Sequence, residues 1–165
     1  MKLLRQTIRN LLLEQMSEEE KMAEWRKYFK PKESLAAIHE LGDMFEDTYT
    51  FRAGPFMNKF DVYEMFYKPE PGCVVRIRLY QMHGSIKFDE IETTPKCEGR
   101  GYARHVIKTV QNIAKKHGVK IYLEPKAFHT HKGEGRMSSA ELENWYKSQG
   151  FKKSIHGFLD LEWKP

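Results

Sequence analysis

Hydrophobic positions recur at three- and four-residue spacing over the first 45 residues, alternate with polar ones over the next 50, and return to helical spacing after residue 100. Leu4, Ile8, Leu11 and Leu12, with Leu3 beside them, predict an amphipathic helix over residues 2–15. Ser17 followed by Glu20 is the pattern of a capping box, in which each residue satisfies the other's backbone N–H, and it predicts a second helix to about Tyr28. Pro31 interrupts that run, and a third helix is expected from about Lys32 to Phe45. Strands are then expected over Asp47–Arg52, Phe60–Lys68, Cys73–Met82 and Ser85–Thr94. Val75, Ile77 and Leu79 alternate with Arg76, Arg78 and Tyr80, as in a sheet with one face in a core. Pro69-Glu70-Pro71-Gly72 and His83-Gly84 supply the tight connections of an antiparallel meander.

Ala103, Val106, Ile107, Val110, Ile113 and Ala114 fall on one face of a helix that Gly118 can close, and Arg104, Lys108, Lys115 and Lys116 fall on the other. The following Val119–Glu124 reads as a short strand, parallel to Ser85–Thr94 through a right-handed crossover, which makes a β-α-β unit. Ser138 and Glu141 form another capping box, opening a helix that carries Leu142, Trp145 and Tyr146 and stops at Gly150. Phe151–Ile155 and Phe158–Trp163 read as a terminal hairpin around His156-Gly157. The expected fold class is therefore α/β (α+β), with a helical segment over residues 1–45 packed on or extending a domain over residues 46–165.

Composition narrows this only modestly. A chain of 165 residues with 40% hydrophobic content suits one domain with a real core. A net charge of +5 favours an anionic ligand, yet it is too mild to demand nucleic acid, which is not the favoured partner. Cys73 and Cys97 have no metal-type spacing, and reduced thiols in a cytosol are the simplest expectation. No apolar run approaches the ~20 residues needed to span a bilayer. A soluble, cytoplasmic protein with no membrane partner is expected.

The candidate chemistry lies at Thr94-Pro95-Lys96-Cys97-Glu98-Gly99-Arg100-Gly101-Tyr102-Ala103, between a strand and a helix. Gly99 and Gly101 remove side chains where the backbone turns, so that N–H groups at the helix start can converge on a phosphate. The small Ala103 leaves room for a bulky phosphorylated ligand. Downstream stands Trp145-Tyr146-Lys147-Ser148-Gln149-Gly150-Phe151.

These two elements resemble the GNAT superfamily of acyl-CoA N-acyltransferases, whose signature is Gln/Arg-x-x-Gly-x-Gly/Ala after a strand. Glu98-Gly99-Arg100-Gly101-Tyr102-Ala103 matches at the glycines and Ala103 and departs at Glu98, where a carboxylate beside a pyrophosphate is repulsive unless it faces solvent or pairs with Arg100 or Arg104. The resemblance covers residues 85–163, while the helical start departs from the family. It implies a mixed sheet, acetyl-CoA as cofactor, and acyl transfer to an amine by direct attack without metal. The pyrophosphate would rest on backbone groups of Glu98, Gly99, Arg100, Gly101, Tyr102, Ala103 and Arg104, and the pantetheine arm on those of Ile91 and Thr93 between splayed parallel strands. Glu124 matches the base of some members, with Glu90 and Glu92 as competitors. Tyr146 matches the family's acid for the thiolate.

Several readings stay open. The acceptor amine, on a protein or a small molecule, is not specified. His129 and His131 make a poor metal site without a third ligand. The loop Lys126–Met137 is either a substrate-contacting lid or plain elaboration. The N-terminal helix either packs on the domain or serves as a docking element, since its basic start and Leu12-Leu13-Glu14 resemble processing signals in small GNAT-like proteins of tailed phages. The alternative function is a GNAT-shaped binding or structural module without acyl transfer, possibly part of a virion.

Overall fold

A computed structural model describes residues 17–27, 29–53, 60–125, 137–154 and 160–165. The expected helix over residues 2–15, the histidines at 129 and 131, nearly all of the loop over 126–137, and the His156-Gly157 turn lie outside the described residues.

The helices are α1 (Glu18–Lys27), α2 (Pro31–Met44), α3 (Tyr102–His117) and α4 (Ser139–Ser148). The strands are β1 (Glu46–Ala53), β2 (Phe60–Glu70), β3 (Cys73–Met82), β4 (Ser85–Thr93), β5 (Ile121–Leu123), β6 (Lys152–Lys153) and β7 (Leu161–Trp163). Together the strands form one mixed sheet in the order β1-β2-β3-β4-β5-β7-β6. β1 to β4 are the antiparallel meander that the alternation predicts, and α3 crosses over to put β5 parallel to β4. The capping box that opens α1 is present: Ser17 N–H donates to the Glu20 carboxylate at 2.7 Å and Glu20 N–H to Ser17 Oγ at 3.2 Å. Several bounds differ from expectation, and those of β2 and β5 bear on the site. β2 continues through Pro69 to Glu70, past an irregularity between Tyr67 and Glu70. β5 pairs over only three residues, not the six of Val119–Glu124.

The core lies on one sheet face. Val75, Ile77, Leu79, Ile86, Phe88, Ile121 and Leu123 meet Ala37, Ile38 and Leu41 of α2, Val106, Ile107, Val110, Ile113 and Ala114 of α3, and Tyr146 of α4. Each fully buried aliphatic side chain there contributes about 1.5–3 kcal/mol relative to exposure. α2 is also tied to the end of α3, where Glu40 accepts from Lys116 Nζ and contacts His117 Nε2, both at 2.7 Å.

A β-bulge in β4 corrects one expectation about the site. By simple alternation Glu90 and Glu92 would share a face with Ile86 and Phe88. The register instead shifts between Arg78↔Glu90 and Leu79↔Phe88, leaving Asp89 as an extra residue on β4. A one-residue insertion reverses side-chain parity. Ile86 and Phe88 therefore face the core, whereas Glu90 and Glu92 lie on the opposite face beside Arg76 and Arg78.

Candidate functional site: an open helix start beside two parting strands

α3 begins without the usual means of satisfying its first amides. Its N-cap is Gly101, in the left-handed region at φ 83°; there is no side-chain cap and no acidic residue in the first turn. The first helical bond runs from His105 N–H to Gly101 C=O at 3.0 Å. Cys97 N–H and Glu98 N–H are used locally, by Thr94 and Pro95 carbonyls. Arg100 N–H closes the turn over Glu98–Gly99, whereas the N–H groups of Gly101, Tyr102, Ala103 and Arg104 have no backbone acceptor among the described residues. Gly99 also has positive φ, 76°, and a Cβ built on either glycine would meet nothing within 4 Å. These glycines therefore serve the backbone turn and leave open space in front of it. Open amides, positive helix end and free volume are what a diphosphate needs.

Glu98 is exposed and makes no ion pair among the described residues, so its carboxylate faces solvent. Arg100 is ion-paired with Glu70 of the β2–β3 turn. The same carboxylate lies near Tyr102 and, with burial and its negative charge adding to the effect, raises the phenol above its ordinary pKa. Arg104 is exposed and Ala103 half-buried on the first turn.

Beside this loop, β4 and β5 part. They pair at Ile86↔Ile121, Lys87↔Tyr122 and Phe88↔Leu123, after which β5 ends and β4 continues to Thr93. Thr94 N–H donates to Val74 C=O, which marks residues 94, 92 and 90 as those whose backbone groups turn toward β3. Ile91 and Thr93 alternate with them and direct their N–H and C=O toward the side β5 has left, where no described strand lies.

Acid–base candidates divide sharply. Both oxygens of Glu90 are occupied, by Arg76 at 2.9 Å and Arg78 at 2.9 Å, and Glu92 accepts from Arg76 at 2.6 Å. Glu64 joins the network through Arg78 at 2.8 Å. Glu124, just past β5, is partly exposed and lies 3.8 Å from Lys87 Nζ. Lys87 is only 4% exposed. Tyr80, opposite Lys87 on β3, has its phenol pushed up to about 12 by burial and by the charges of Asp89 and Glu124. Tyr146 is buried between Trp145 and Phe151, with ring centroids at 5.0 and 5.7 Å. Burial alone raises its phenol well above the ordinary value, so it stays protonated at any physiological pH.

Three residue groups were not foreseen: Glu70 as partner of Arg100, the Tyr80–Lys87–Asp89 neighbourhood of Glu124, and the joined cysteines. The reduced thiols expected from the sequence are corrected. Cys73 and Cys97 are joined in a disulfide with Cα atoms 5.8 Å apart, and Cys97 is 1% exposed. The reason is geometric: the β3–β4 hairpin brings the start of β3 against the Pro95–Cys97 3₁₀ turn. Thiol state therefore gives no argument for a cytosolic location. Glu70, Cys73 and Cys97 place ligand-type atoms within 4.8 Å of one another, but two sulfurs bonded to each other are not metal ligands. Among the described residues no helix is long and apolar enough to cross a membrane.

No family model matches the chain, and no curated protein matches it significantly. Among solved structures it is similar to the crystal structure of the anti-CRISPR protein AcrVA5, with 18% identity over 55% of this chain and 90% of that one, at a TM-score of 0.43. A likeness that slight carries no functional argument.

Proposed function

We propose that the protein is an acetyl-CoA-dependent N-acyltransferase of GNAT type, transferring an acetyl group to an amine. The observation that carries this reading is the run of amides over residues 101–104 without a backbone acceptor among the described residues, with open space at Gly99 and Gly101, next to parallel strands that part after three residue pairs. In this reading Gly99–Arg104 hold the pyrophosphate through backbone N–H groups, with the uncapped helix end adding favourable electrostatics. Ile91 and Thr93 offer the backbone donors and acceptors that an extended amide-bearing arm requires. Bound acetyl-CoA would supply an activated acyl group as a thioester.

The acceptor amine must lose a proton, and Glu124 is the residue for it. Glu90 has both oxygens tied to arginines and could take a proton only by breaking those pairs. Glu92 is tied to Arg76 through one oxygen. Glu124 stands at the end of β5, where the strands diverge, and its ion pair with Lys87 is long, at 3.8 Å. Tyr146 is the proton donor for the departing sulfur in this reading; its phenol is protonated at neutral pH, and burial makes it a weaker acid than a free tyrosine. The exposed Glu98, turned to solvent, removes the main sequence objection to anion binding.

The alternative of a binding module without transfer would share the cradle and lack the proton chemistry. Thiol release from acetyl-CoA in the presence of lysine peptides and polyamines separates the two. Turnover that falls in both Glu124→Gln and Tyr146→Phe supports the enzyme, and acetyl-CoA binding with no turnover on any acceptor amine tried supports the module.

A further inference from the structure

We propose that the Cys73–Cys97 disulfide is a redox clamp on the anion-binding loop, holding its amides converged when closed and weakening ligand binding when reduced. The proposal rests on reading residues 99–104 as a pyrophosphate cradle and adds its regulation.

Position is the first argument. Cys97 ends the 3₁₀ turn and is followed at once by Glu98 and the glycines, while Cys73 opens β3, 24 residues earlier. The bond thus ties the entrance of the loop to the rigid meander. Other described ties between these two regions are weaker. Arg100 is paired with Glu70, but that pair is about half exposed, where ion pairs contribute little. Thr94 is hydrogen-bonded to Val74, but that anchor lies before the 3₁₀ turn. Two glycines in the loop give the released chain much conformational freedom.

Access is the second argument. A cavity of about 330 Å³ opens at the β2–β3 turn, and Cys73, itself 3% exposed, is among its lining residues with Lys68, Glu70 and Gly72. Lys96 lies over that turn, its Nζ 2.5 Å from where a Gly72 Cβ would stand.

The reaction is thiol–disulfide exchange with a dithiol reductant. A reductant thiolate attacks Cys73 Sγ, the S–S bond breaks, and Cys97 leaves as a thiolate that takes a proton. The second reductant thiol then attacks the mixed disulfide, releasing Cys73 as a thiol and leaving the reductant as a disulfide, so two electrons and two protons pass to the protein.

The test uses acetyl-CoA, which has no free thiol, titrated into air-oxidised protein and into protein reduced with dithiothreitol and then freed of it. Oxidised protein should show no titratable thiol after denaturation. If the reduced loop is competent about one-tenth of the time, its Kd is about tenfold weaker, and reoxidation restores the tight value. Cys73→Ser with Cys97→Ser should bind like the reduced form and ignore the reductant. The clamp is overturned by free thiols in the oxidised protein, or by equal Kd values in two states that thiol counting shows to differ. Absence of binding in both states removes the cradle itself, an outcome distinct from a cradle that binds regardless of redox state.

Discussion

The starts of α3 and α4 solve the same physical problem in opposite ways. Both helices leave their first N–H groups without intrahelical partners. At α4 the deficit is closed from within: Ser138 Oγ accepts from Glu141 N–H at 3.3 Å, and the Glu141 carboxylate accepts from Ser138 N–H at 2.8 Å. At α3 no described side chain closes it; glycine stands at the cap, the first turn has no acid, and the space at Gly99 and Gly101 is open. A helix start that folding could have capped, and that is left open on the surface, marks where an anion is expected. A closed one contributes only to stability.

The comparison is broken most severely by Gly101→Glu. A carboxylate placed in the open space in front of the amides should weaken acetyl-CoA binding by more than about a hundredfold, through repulsion and lost access. The left-handed backbone adds roughly 1–2 kcal/mol of strain, so thermal unfolding should show a folded protein with a somewhat lower Tm. Unchanged affinity would remove the cradle.

Next in size is Tyr146→Phe, which keeps the aromatic packing and deletes the hydroxyl. Turnover should fall by roughly 10²-fold or more while the Kd for acetyl-CoA stays nearly constant, as for a group acting on the leaving atom. A rate equal to the parent's would end that role.

Ser138→Ala sharpens the contrast from the other side. It should cost about 1 kcal/mol of stability, readable in urea unfolding, and leave acetyl-CoA affinity untouched. A matching loss of affinity would mean the two helix starts are not independent.

The smallest effect is a pH dependence confined to the closed cap. Hydrogen bonds from Ser138 hold the Glu141 carboxyl below its ordinary value of 4.5. A depressed folded-state pKa means that the contribution is fully present above 4.5 and is lost as pH falls through the lowered value. Amide exchange at the start of α4 should therefore quicken in acid relative to Glu141→Gln, and parallel profiles in the two proteins would contradict the box. Glu40, lowered by Lys116 and His117, adds to acid instability of the α2–α3 contact in the same direction.

Much of this was legible in the chain because short-range rules govern it. Alternation at Val75, Ile77 and Leu79 gave β3 its inward face, and periodicity from Val106 to Ala114 gave α3 its buried stripe. Both capping boxes were readable as Ser-x-x-Glu. The bulge at Asp89 was not, since alternation cannot announce an extra residue, and so the facing of Glu90 and Glu92 came out reversed. The disulfide was within reach of pattern: a hairpin turning at His83-Gly84 places Cys73 near Cys97. Burial of Lys87 and the charges around Tyr80 depend on which strands stand side by side, which only the folded sheet supplies.

The central claim is tested most directly by calorimetric titration of acetyl-CoA into the full chain at neutral pH. The account predicts saturable binding in the micromolar range that Gly101→Glu abolishes. No detectable heat at millimolar ligand, from a protein shown to be folded, would contradict it.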